Sequence, residues 1–483
     1  MPLVMGVDSS TTATKVELRD AVTGDLVATG RAPHPPAGPP VAEQDPAAWW
    51  KALTRAAREA GAAAAAAGTE IAAVAVAGQQ HGLVALDDER NVLRPAKLWN
   101  DNESAPDAAW LVEQLGGPGQ WAEACGSVPV ASFTITKLSW LHRNEPATFD
   151  RLAHVLLPHD WLTYGLTGEL STDRGDASGT GYWSPAGGEW RTDLLDIVDA
   201  GRDWGVMLPA VRGPAEPAGP AQRLAAVALG LADGAVVGPG TGDNMAAALG
   251  LGLRPGDVAV SLGTSGTVYT VSDRPVADAT GAVAGFADAT GRFLPLVCTV
   301  NATRVTDAVA RLLGVDGDTL ARLALDGPPG AGGVVLVPHL DGERTPNRPA
   351  ATGLLAGFRS DVTREQVSRA AHEGVVCGLL DGLDALAALG LPVGGRLFLV
   401  GGGARSAAYP RLLAGLTGQQ VIVPAGEEHV AMGAAVQAAA VLQGGTPEDV
   451  AAAWGGGTGH AVDPDLAVPR EEVRAAYAAA RDR

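Results

Sequence analysis

Two short segments of similar pattern, about half a chain apart, constrain the fold of this 483-residue chain most strongly. Residues 3–18 form an apolar run that ends in Asp8, then a hydroxyl-rich turn, then an alternating strand. Residues 257–271 repeat this order, with a turn made only of Gly, Thr and Ser. Each segment predicts a β-hairpin, and the repetition suggests two related domains facing one another.

Segments that read as a strand, a glycine-rich turn and a helix fill much of the remaining chain. Residues 71–77 predict a buried strand with residues 83–86 as its hairpin partner. Residues 236–249 and residues 397–406 each run from a strand through glycines into a probable helix start. This alternation indicates α/β architecture with layered helices and sheets.

Charge and cysteine usage exclude several classes of protein. The net charge of −19 opposes binding to nucleic acid and to anionic membranes, but backbone N–H groups and Mg²⁺ can still hold a phosphate. The three cysteines are far apart and predict neither a metal site nor a disulfide framework. The sequence shows no secretory signal and no membrane-spanning stretch, so a soluble cytoplasmic protein is expected.

The hairpin tips are candidate phosphate sites, because small residues leave the backbone N–H groups accessible. Asp8, at the end of the first strand, could hold Mg²⁺ directly or through water. For one hairpin alone an ordinary β-turn is the better interpretation, whereas two matched hairpins favour phosphate binding. The sequence contains no Gly-Lys dipeptide, which excludes a P-loop.

Residues 240–244 (GTGDN) place a carboxylate, Asp243, at a predicted helix start. Asp243 could be a simple N-cap, or it could be the base of a phosphoryl transfer, and the two roles are compatible. A helix N-terminus favours the charged form of an aspartate, so the sequence predicts a carboxylate that is ionised at neutral pH and able to accept a proton.

Two further segments carry weaker signals. Residues 78–82 (GQQHG) could bind polyol hydroxyls or form a polar turn, and Trp99 beside three polar residues could line a sugar site or belong to the core. The glycines of residues 401–403 could accommodate a nucleotide base or could serve close helix–sheet packing.

Taken together and in order, these segments resemble the FGGY family of carbohydrate kinases nearly from end to end. The matching segments are residues 6–12, 78–82, 98–101, 137–138, 157–160, 176–180, 242–244, 261–266, 342–346 and 401–405. The resemblance implies an actin-like ATPase fold with two ribonuclease-H-like domains flanking a cleft. It also implies that residues 1–245 form a sugar-binding domain and residues 246–483 a nucleotide-binding domain.

The activity implied by the resemblance is transfer of the γ-phosphoryl group of ATP, with Mg²⁺, to O5 of D-xylulose. Asp243 would be the general base. The sugar would be bound by Gln80, His81, Trp99 and Asn244. The nucleotide and its metal ion would be held by Asp8, Thr12, Gly263, Thr264, Gly402, Gly403 and Ala404, with Asp8 serving the metal.

The main departure from the family pattern is Gln80, since members that act on xylulose usually carry Met at this position. An amide offers hydrogen bonds where a thioether offers apolar contact, so another ketopentose such as D-ribulose, or a sugar alcohol, stays open as the substrate. A minor departure is Thr241, which stands in a loop where three glycines are common. A non-catalytic sugar-sensing or chaperone-type module of the actin-like class is the second alternative. The expected partner is a small sugar, with neither nucleic acid nor membrane, and a homodimer is left open.

Overall fold

The computed structural model of this protein describes residues 2–426 and 428–483, and it divides the chain into two compact units. The first unit comprises Met1–Leu253, Asp273–Leu294 and Glu428–Gly456. The second comprises Arg254–Ser272, Pro295–Glu427 and Gly457–Arg483. Two segments that lie beyond Leu253 in the sequence therefore also belong to the first unit, and the second of them, Glu428–Gly456, is called the late segment. The prediction that residues 1–245 bind sugar and residues 246–483 bind nucleotide concerns function and stays a prediction.

The β-strands follow one another along the chain in this order: β1 Leu3–Ser9, β2 Ala13–Asp20, β3 Leu26–Pro33, β4 Glu43–Gln44, β5 Ile71–Gly78, β6 Val84–Leu86, β7 Ala96–Lys97, β8 His154–Leu156, β9 Ser171–Asp173, β10 Trp183–Ser184, β11 Glu189–Trp190, β12 Ala210–Arg212, β13 Gly219–Pro220, β14 Val236–Val237, β15 Thr241–Gly242, β16 Val258–Leu262, β17 Gly266–Thr270, β18 Ala284–Ala287, β19 Phe293–Thr299, β20 Val335–Val337, β21 Leu354–Ala356, β22 Leu397–Val400, β23 Val421–Pro424 and β24 Gly459–Val462.

The α-helices are α1 Pro46–Ala67, α2 Ala105–Gln114, α3 Pro118–Cys125, α4 Thr134–Asn144, α5 Pro146–Asp150, α6 Pro158–Thr167, α7 Arg174–Ala177, α8 Thr192–Asp199, α9 Arg223–Leu229, α10 Asp243–Gly250, α11 Thr303–Leu313, α12 Gly317–Asp326, α13 Arg364–Ala388, α14 Tyr409–Thr417, α15 His429–Gln443, α16 Pro447–Ala453 and α17 Arg470–Arg481. Short 3₁₀ turns lie at Trp204–Val206, Pro329–Gly333 and Gly402–Arg405.

The central sheet of each unit has the same arrangement. In the first unit the strand order is β14-β5-β1-β2-β3. The pairs β1–β2 and β2–β3 are antiparallel, whereas the pairs β1–β5 and β5–β14 are parallel. In the second unit the order β23-β22-β16-β17-β19 follows the same rule. Both predicted hairpins are therefore confirmed, and so are the α/β class and the internal repeat.

Two helices cover the sheet of the first unit. Helix α1 is capped by Asp45, whose side chain accepts a hydrogen bond from Ala47 N at 2.9 Å, and it ends at Gly68 with φ of 63°. Helix α15 packs against β1 and β5 so closely that a Cβ on Gly6 would lie 2.6 Å from the backbone nitrogen of Ala435. The small residues of α15 thus allow backbone-to-backbone packing that larger side chains would prevent.

One prediction about strand pairing was wrong. Residues 71–77 form the buried strand β5, as expected, but residues 84–86 do not pair with it. They form β6, which pairs antiparallel with β8 instead. β5 is a central strand that already has β1 on one side and β14 and β15 on the other, so no edge is left for a hairpin partner.

Candidate active site

The predicted metal residue Asp8 lies at the end of β1, where the antiparallel register places it opposite Lys15. Its Oδ2 is 3.3 Å from Lys15 Nζ, and Lys15 Nζ is also 2.7 Å from Glu428 on the late segment of the unit. Oδ1 of Asp8 is buried without a hydrogen-bond partner among the described residues. Burial raises the pKa of Asp8 to about 6 although Lys15 lowers it. A buried acceptor of this kind fits a divalent cation, because a cation would supply the missing partner.

The tip of the first hairpin is tied to two other predicted segments through Thr11. Thr11 Oγ1 donates to Gln79 Oε1 at 3.1 Å and accepts from Trp99 Nε1 at 2.9 Å. Trp99 is 39% exposed, so it lies at the surface of the first unit and is not a core residue. Thr12 is exposed in the turn and accepts a backbone hydrogen bond from His34.

A chain of hydrogen bonds connects Gln80, Asn244 and Asp243. Asn244 Nδ2 donates to Gln80 Oε1 at 3.0 Å and to Asp243 Oδ1 at 2.9 Å, and the backbone N–H of Asn244 donates to the same Oδ1 at 2.8 Å. The side chain of Gln80 lies against Gly242, where a Cβ would be 2.7 Å from its Cγ. With Oε1 engaged, the buried Nε2 of Gln80 has no hydrogen-bond partner among the described residues and can donate to a ligand oxygen.

His81 is held in a defined orientation beside Gln80. Its backbone has φ of 66°, its Nδ1 donates to the carbonyl of Gly179 at 2.7 Å, and its ring stacks on Phe133 with 5.0 Å between centroids. Since a carbonyl can only accept, Nδ1 is a protonated nitrogen in this hydrogen bond. The structure therefore brings the predicted sugar residues Gln80, His81 and Asn244 together in the first unit, with Gln80 Nε2 as the donor that can reach a polyol.

Asp243 is the first residue of α10, and Gly242 occupies the N-cap position. Asp243 keeps partial access to solvent, but the protein packed around its carboxyl group raises its pKa to about 7, with Asp8 and Asp176 adding to the effect of burial. The expectation that the helix N-terminus would keep this carboxylate charged is therefore wrong in direction. Burial and two nearby carboxylates outweigh the hydrogen bonds from Asn244.

The predicted nucleotide segments come together in the second unit. Gly263 and Thr264 form the turn between β16 and β17, and their carbonyls accept hydrogen bonds from the backbone at the start of α11. Gly403 packs against the end of β16, where a Cβ would lie 2.7 Å from Leu262 Cγ, and Ala404 is buried beside it while Gly402 is exposed. Two glycine-containing turns thus lie side by side at the ends of the parallel strands β16 and β22.

Several residues that support this site were not predicted. Lys15 could have been found, because it faces Asp8 across a predicted hairpin. Thr241, Asp173 and His159 could not, because the contacts among them join distant parts of the chain. Glu428 reaches Lys15 only because a late segment returns to the first unit.

A separate group of acidic residues has the geometry of a metal site but already surrounds a cation. Ligand oxygens of Glu43, Asp101 and Glu103 lie within 4.8 Å of one another. Lys97 Nζ sits among them at 3.1, 3.2 and 2.5 Å, and it also lies 3.8 Å from the ring centroid of Trp140. The buried ammonium group supplies the positive charge that these carboxylates require.

Other predictions concern cysteines and membranes. Among the described residues, Cys125, Cys298 and Cys377 take part in no disulfide bond. In the part of the chain that the structure describes, no helix has both the length and the apolar character needed to cross a membrane.

Family models of the FGGY family of carbohydrate kinases match most of the chain, the N-terminal domain over residues 3–250 and the C-terminal domain over residues 258–442. The chain therefore belongs to the FGGY family of carbohydrate kinases. It is an enzyme that phosphorylates a carbohydrate, so the alternative of a non-catalytic module is set aside, and the actin-like fold is confirmed.

The relatives point to one member of this family. A xylulose kinase from Streptomyces rubiginosus is 48% identical over 471 residues, which cover 98% of this chain and 94% of that protein. A xylulose kinase from Escherichia coli K12 is 35% identical over 429 residues, covering 87% of this chain and 86% of that protein. The crystal structure of xylulose kinase from Bifidobacterium adolescentis is similar with a TM-score of 0.87 and 42% identity, covering 99% of each chain.

Proposed function

We propose that this enzyme transfers the γ-phosphoryl group of ATP to the O5 hydroxyl of D-xylulose, with Asp243 as the general base. The hydroxyl oxygen forms a bond to the γ-phosphorus, the bond from that phosphorus to the β,γ-bridging oxygen breaks, ADP leaves, and the hydroxyl proton passes to Asp243. The relatives named xylulose kinase, similar over nearly the whole chain, support the sugar and the reaction.

The hydrogen bonding of the Asp243 carboxylate is the observation that carries the assignment of the base. Both hydrogen bonds from Asn244 go to Oδ1, so Oδ2 is the oxygen that can take the proton. A base needs an oriented oxygen and a pKa near the working pH, and a pKa of about 7 meets the second condition.

The remaining site residues have proposed roles that follow from their contacts. Gln80 donates through Nε2 to a sugar oxygen, His81 contacts the sugar with a ring that Gly179 holds in one orientation, and Asn244 orients both Gln80 and Asp243. Trp99 would border the sugar from the surface of the unit. Each of these roles places a hydrogen-bonding group or an aromatic edge beside a polyhydroxylated ligand.

For the nucleotide, Asp8 would hold Mg²⁺ and Thr12 would contact phosphate at the first hairpin. Gly263 and Thr264 would offer backbone donors to the phosphates, and Gly402, Gly403 and Ala404 would line the adenosine site. Mg²⁺, when bound, neutralises charge on the transferred phosphoryl group. The division into a sugar-binding domain, residues 1–245, and a nucleotide-binding domain, residues 246–483, stays a prediction, with Asp8 and Thr12 as the N-terminal residues assigned to the nucleotide.

Gln80 favours a second candidate substrate within the same reaction. The Nε2 donor has no counterpart in a methionine, so D-ribulose or a sugar alcohol could match the hydroxyl pattern of this site better than D-xylulose.

A cytoplasmic location and a homodimer stay predictions, which cell fractionation and light scattering would test.

An assay of ADP release with D-xylulose, D-ribulose and xylitol tests the function. D-Xylulose should give the highest kcat/KM, and Asp243→Ala should lower kcat by at least about 10²-fold while ATP binding, measured by calorimetry, is kept. Turnover of another sugar without turnover of D-xylulose would overturn the substrate. Near-normal turnover of Asp243→Ala would overturn the base.

A further inference from the structure

The short strand that leads into Asp243 is fastened on several sides inside the first unit. β15 pairs with the end of β5, Thr241 opposite Ala77 and Gly242 opposite Gly78. The carbonyl of Gly240 accepts a hydrogen bond from Gln437 Nε2 of α15 at 3.1 Å. Thr241 Oγ1 donates to Asp173 Oδ2 at 2.7 Å, and all of these groups are buried. The hydroxyl of Thr241 is the side-chain anchor nearest to the base in this strand.

Asp173 is itself immobilised, so the anchor is rigid. Its Oδ2 also accepts from Gly175 N at 2.8 Å and its Oδ1 accepts from Asp176 N at 3.0 Å, which makes it the N-cap of α7. A carboxylate with this many donors keeps one orientation. The hydrogen bond from Thr241 therefore ties the strand before Asp243 to the N-terminus of α7.

The His159 side chain packs closely against the same strand and against the end of β5. A Cβ on Gly240, which has φ of 77°, would lie 2.5 Å from His159 Cδ2, and a Cβ on Gly78 would lie 3.0 Å from His159 Cβ. His159 Nδ1 is 2.7 Å from Asp176 Oδ2, and Nε2 is 3.2 Å from Asp160 Oδ1. Burial lowers the pKa of His159, but Asp160, Asp176 and Asp173 outweigh it and raise the pKa to about 9. The charged ring balances the buried carboxylates around it, and one of them, Asp173, accepts the hydrogen bond from Thr241.

We propose that the hydrogen bond from Thr241 to Asp173, together with the packing of this strand on the His159 ring, positions the Asp243 carboxylate for proton transfer. This inference rests on the proposed function of Asp243 as the base. Asp243 lies two residues beyond Thr241, and its Oδ1 is fixed by Asn244, so the remaining freedom of the carboxylate is the path of the backbone itself. A displacement of about 1 Å can cost on the order of 10²-fold in rate.

Substitutions at Thr241 that remove or keep only its hydroxyl group test this positioning role. Thr241→Val removes the hydroxyl at almost constant volume and should lower the single-turnover rate of phosphoryl transfer roughly 10- to 100-fold, with KM for the sugar within about 2-fold of the unaltered enzyme. Thr241→Ser keeps the hydroxyl and should restore the rate to within about 3-fold. The split between kcat and KM separates positioning from sugar binding.

A matched control removes another buried threonine hydroxyl in the same unit. Thr167 on α6 donates to the carbonyl of Thr163 at 2.9 Å, and Thr167→Val should leave the single-turnover rate unchanged. If Thr241→Val does not fold, the pair Thr241→Ser and Thr241→Ala still differs by the hydroxyl alone. The alanine variant should then be about 10-fold slower than the serine variant.

The outcomes distinguish this inference from the proposed function. Activity in Asp243→Ala would overturn the proposed base, and the positioning role with it. Loss of activity in Asp243→Ala together with an unchanged rate in Thr241→Val would overturn the positioning role alone. A rate as low in Thr241→Ser as in Thr241→Ala would also overturn it, because the hydroxyl would then make no difference.

Discussion

The carboxyl group of Asp243 should impose a pH dependence on catalysis. Its pKa is raised to about 7 by burial and by Asp8 and Asp176, and only the ionised form can accept a proton. We therefore expect kcat/KM for the sugar to rise with pH through about 7 and to fall on the acidic side, where the group is protonated. The free enzyme's pKa governs this profile. A profile that is flat from pH 5.5 to pH 8 would contradict the assignment.

The same raised pKa makes a prediction about stability. An acid whose pKa is higher in the folded state than in the unfolded state destabilises the fold as pH rises from about 4 through about 7, because the unfolded chain ionises first. Asp243→Asn removes this effect. The variant should therefore gain thermal stability relative to the unaltered protein at pH 8, on the order of 1 kcal/mol after allowance for solvent access, and gain little at pH 4. Calorimetry at both pH values measures the difference.

Gln80 should control which sugar the enzyme prefers. Gln80→Met removes the oxygen that accepts from Asn244 Nδ2 and the Nε2 donor. The loss of one hydrogen bond typically lowers an equilibrium or rate constant roughly 2- to 12-fold. We expect kcat/KM for the best sugar to fall by about that amount and the ratio between D-xylulose and D-ribulose to change. Steady-state kinetics on both sugars provides the measurement. An unaltered ratio would show that Nε2 does not reach the substrate.

The sequence could identify the residues of the site but not their supporting contacts. Asp243, Gln80 and Asn244 stand in short glycine-flanked segments, and the resemblance of these segments to a known family is visible without coordinates. Thr241 and Asp173 are 68 positions apart, and neither carries a local signal of its partner. The raised pKa of Asp243 likewise depends on burial and on the nearby Asp8 and Asp176, and the fold alone produces both.

Helix α15 depends on glycine at the position where it meets α10. A Cβ on Gly433 would lie 2.6 Å from the carbonyl carbon of Ala246, and a backbone atom cannot move aside cheaply. We expect Gly433→Ala to lower the free energy of unfolding by about 3 kcal/mol or more.

Gly61→Ala on α1 is the matched control, since Gly61 is also inside a helix and has no atom within 4 Å of the added Cβ. It should stabilise the protein by up to about 1 kcal/mol. Urea unfolding of both variants gives the comparison. Equal effects of the two substitutions would mean that the helix contact tolerates a methyl group.

At the level of elements, local pattern predicted the hairpins but not every pairing. β1 and β2, and likewise β16 and β17, are joined by short hydroxyl-rich turns, so their pairing follows from adjacency in the chain. β5 pairs with β1 across a long connection that contains α1, and β6 pairs with β8 about 70 residues later. Periodicity reveals that such strands are buried, but it does not reveal which edges they meet.

The molecule as a whole interleaves its two units along the chain. The first unit needs Glu428–Gly456, because α15 covers β1 and β5 and packs on α10. We therefore expect a fragment of residues 1–253 to lack a cooperative unfolding transition and a near-ultraviolet circular dichroism signal. Its control is the full chain under the same conditions. A sharp thermal transition in the fragment would show that the late segment is dispensable for the fold.

The return of α15 to the first sheet has a consequence for biosynthesis. When the ribosome has completed residue 253, the face of β1 and β5 that α15 will cover has no partner yet. At about 5–20 residues per second, roughly 10–40 s pass before residue 456 is made. During that interval a nascent apolar surface built from β1 and β5 is available to molecular chaperones, and slower translation would prolong its exposure.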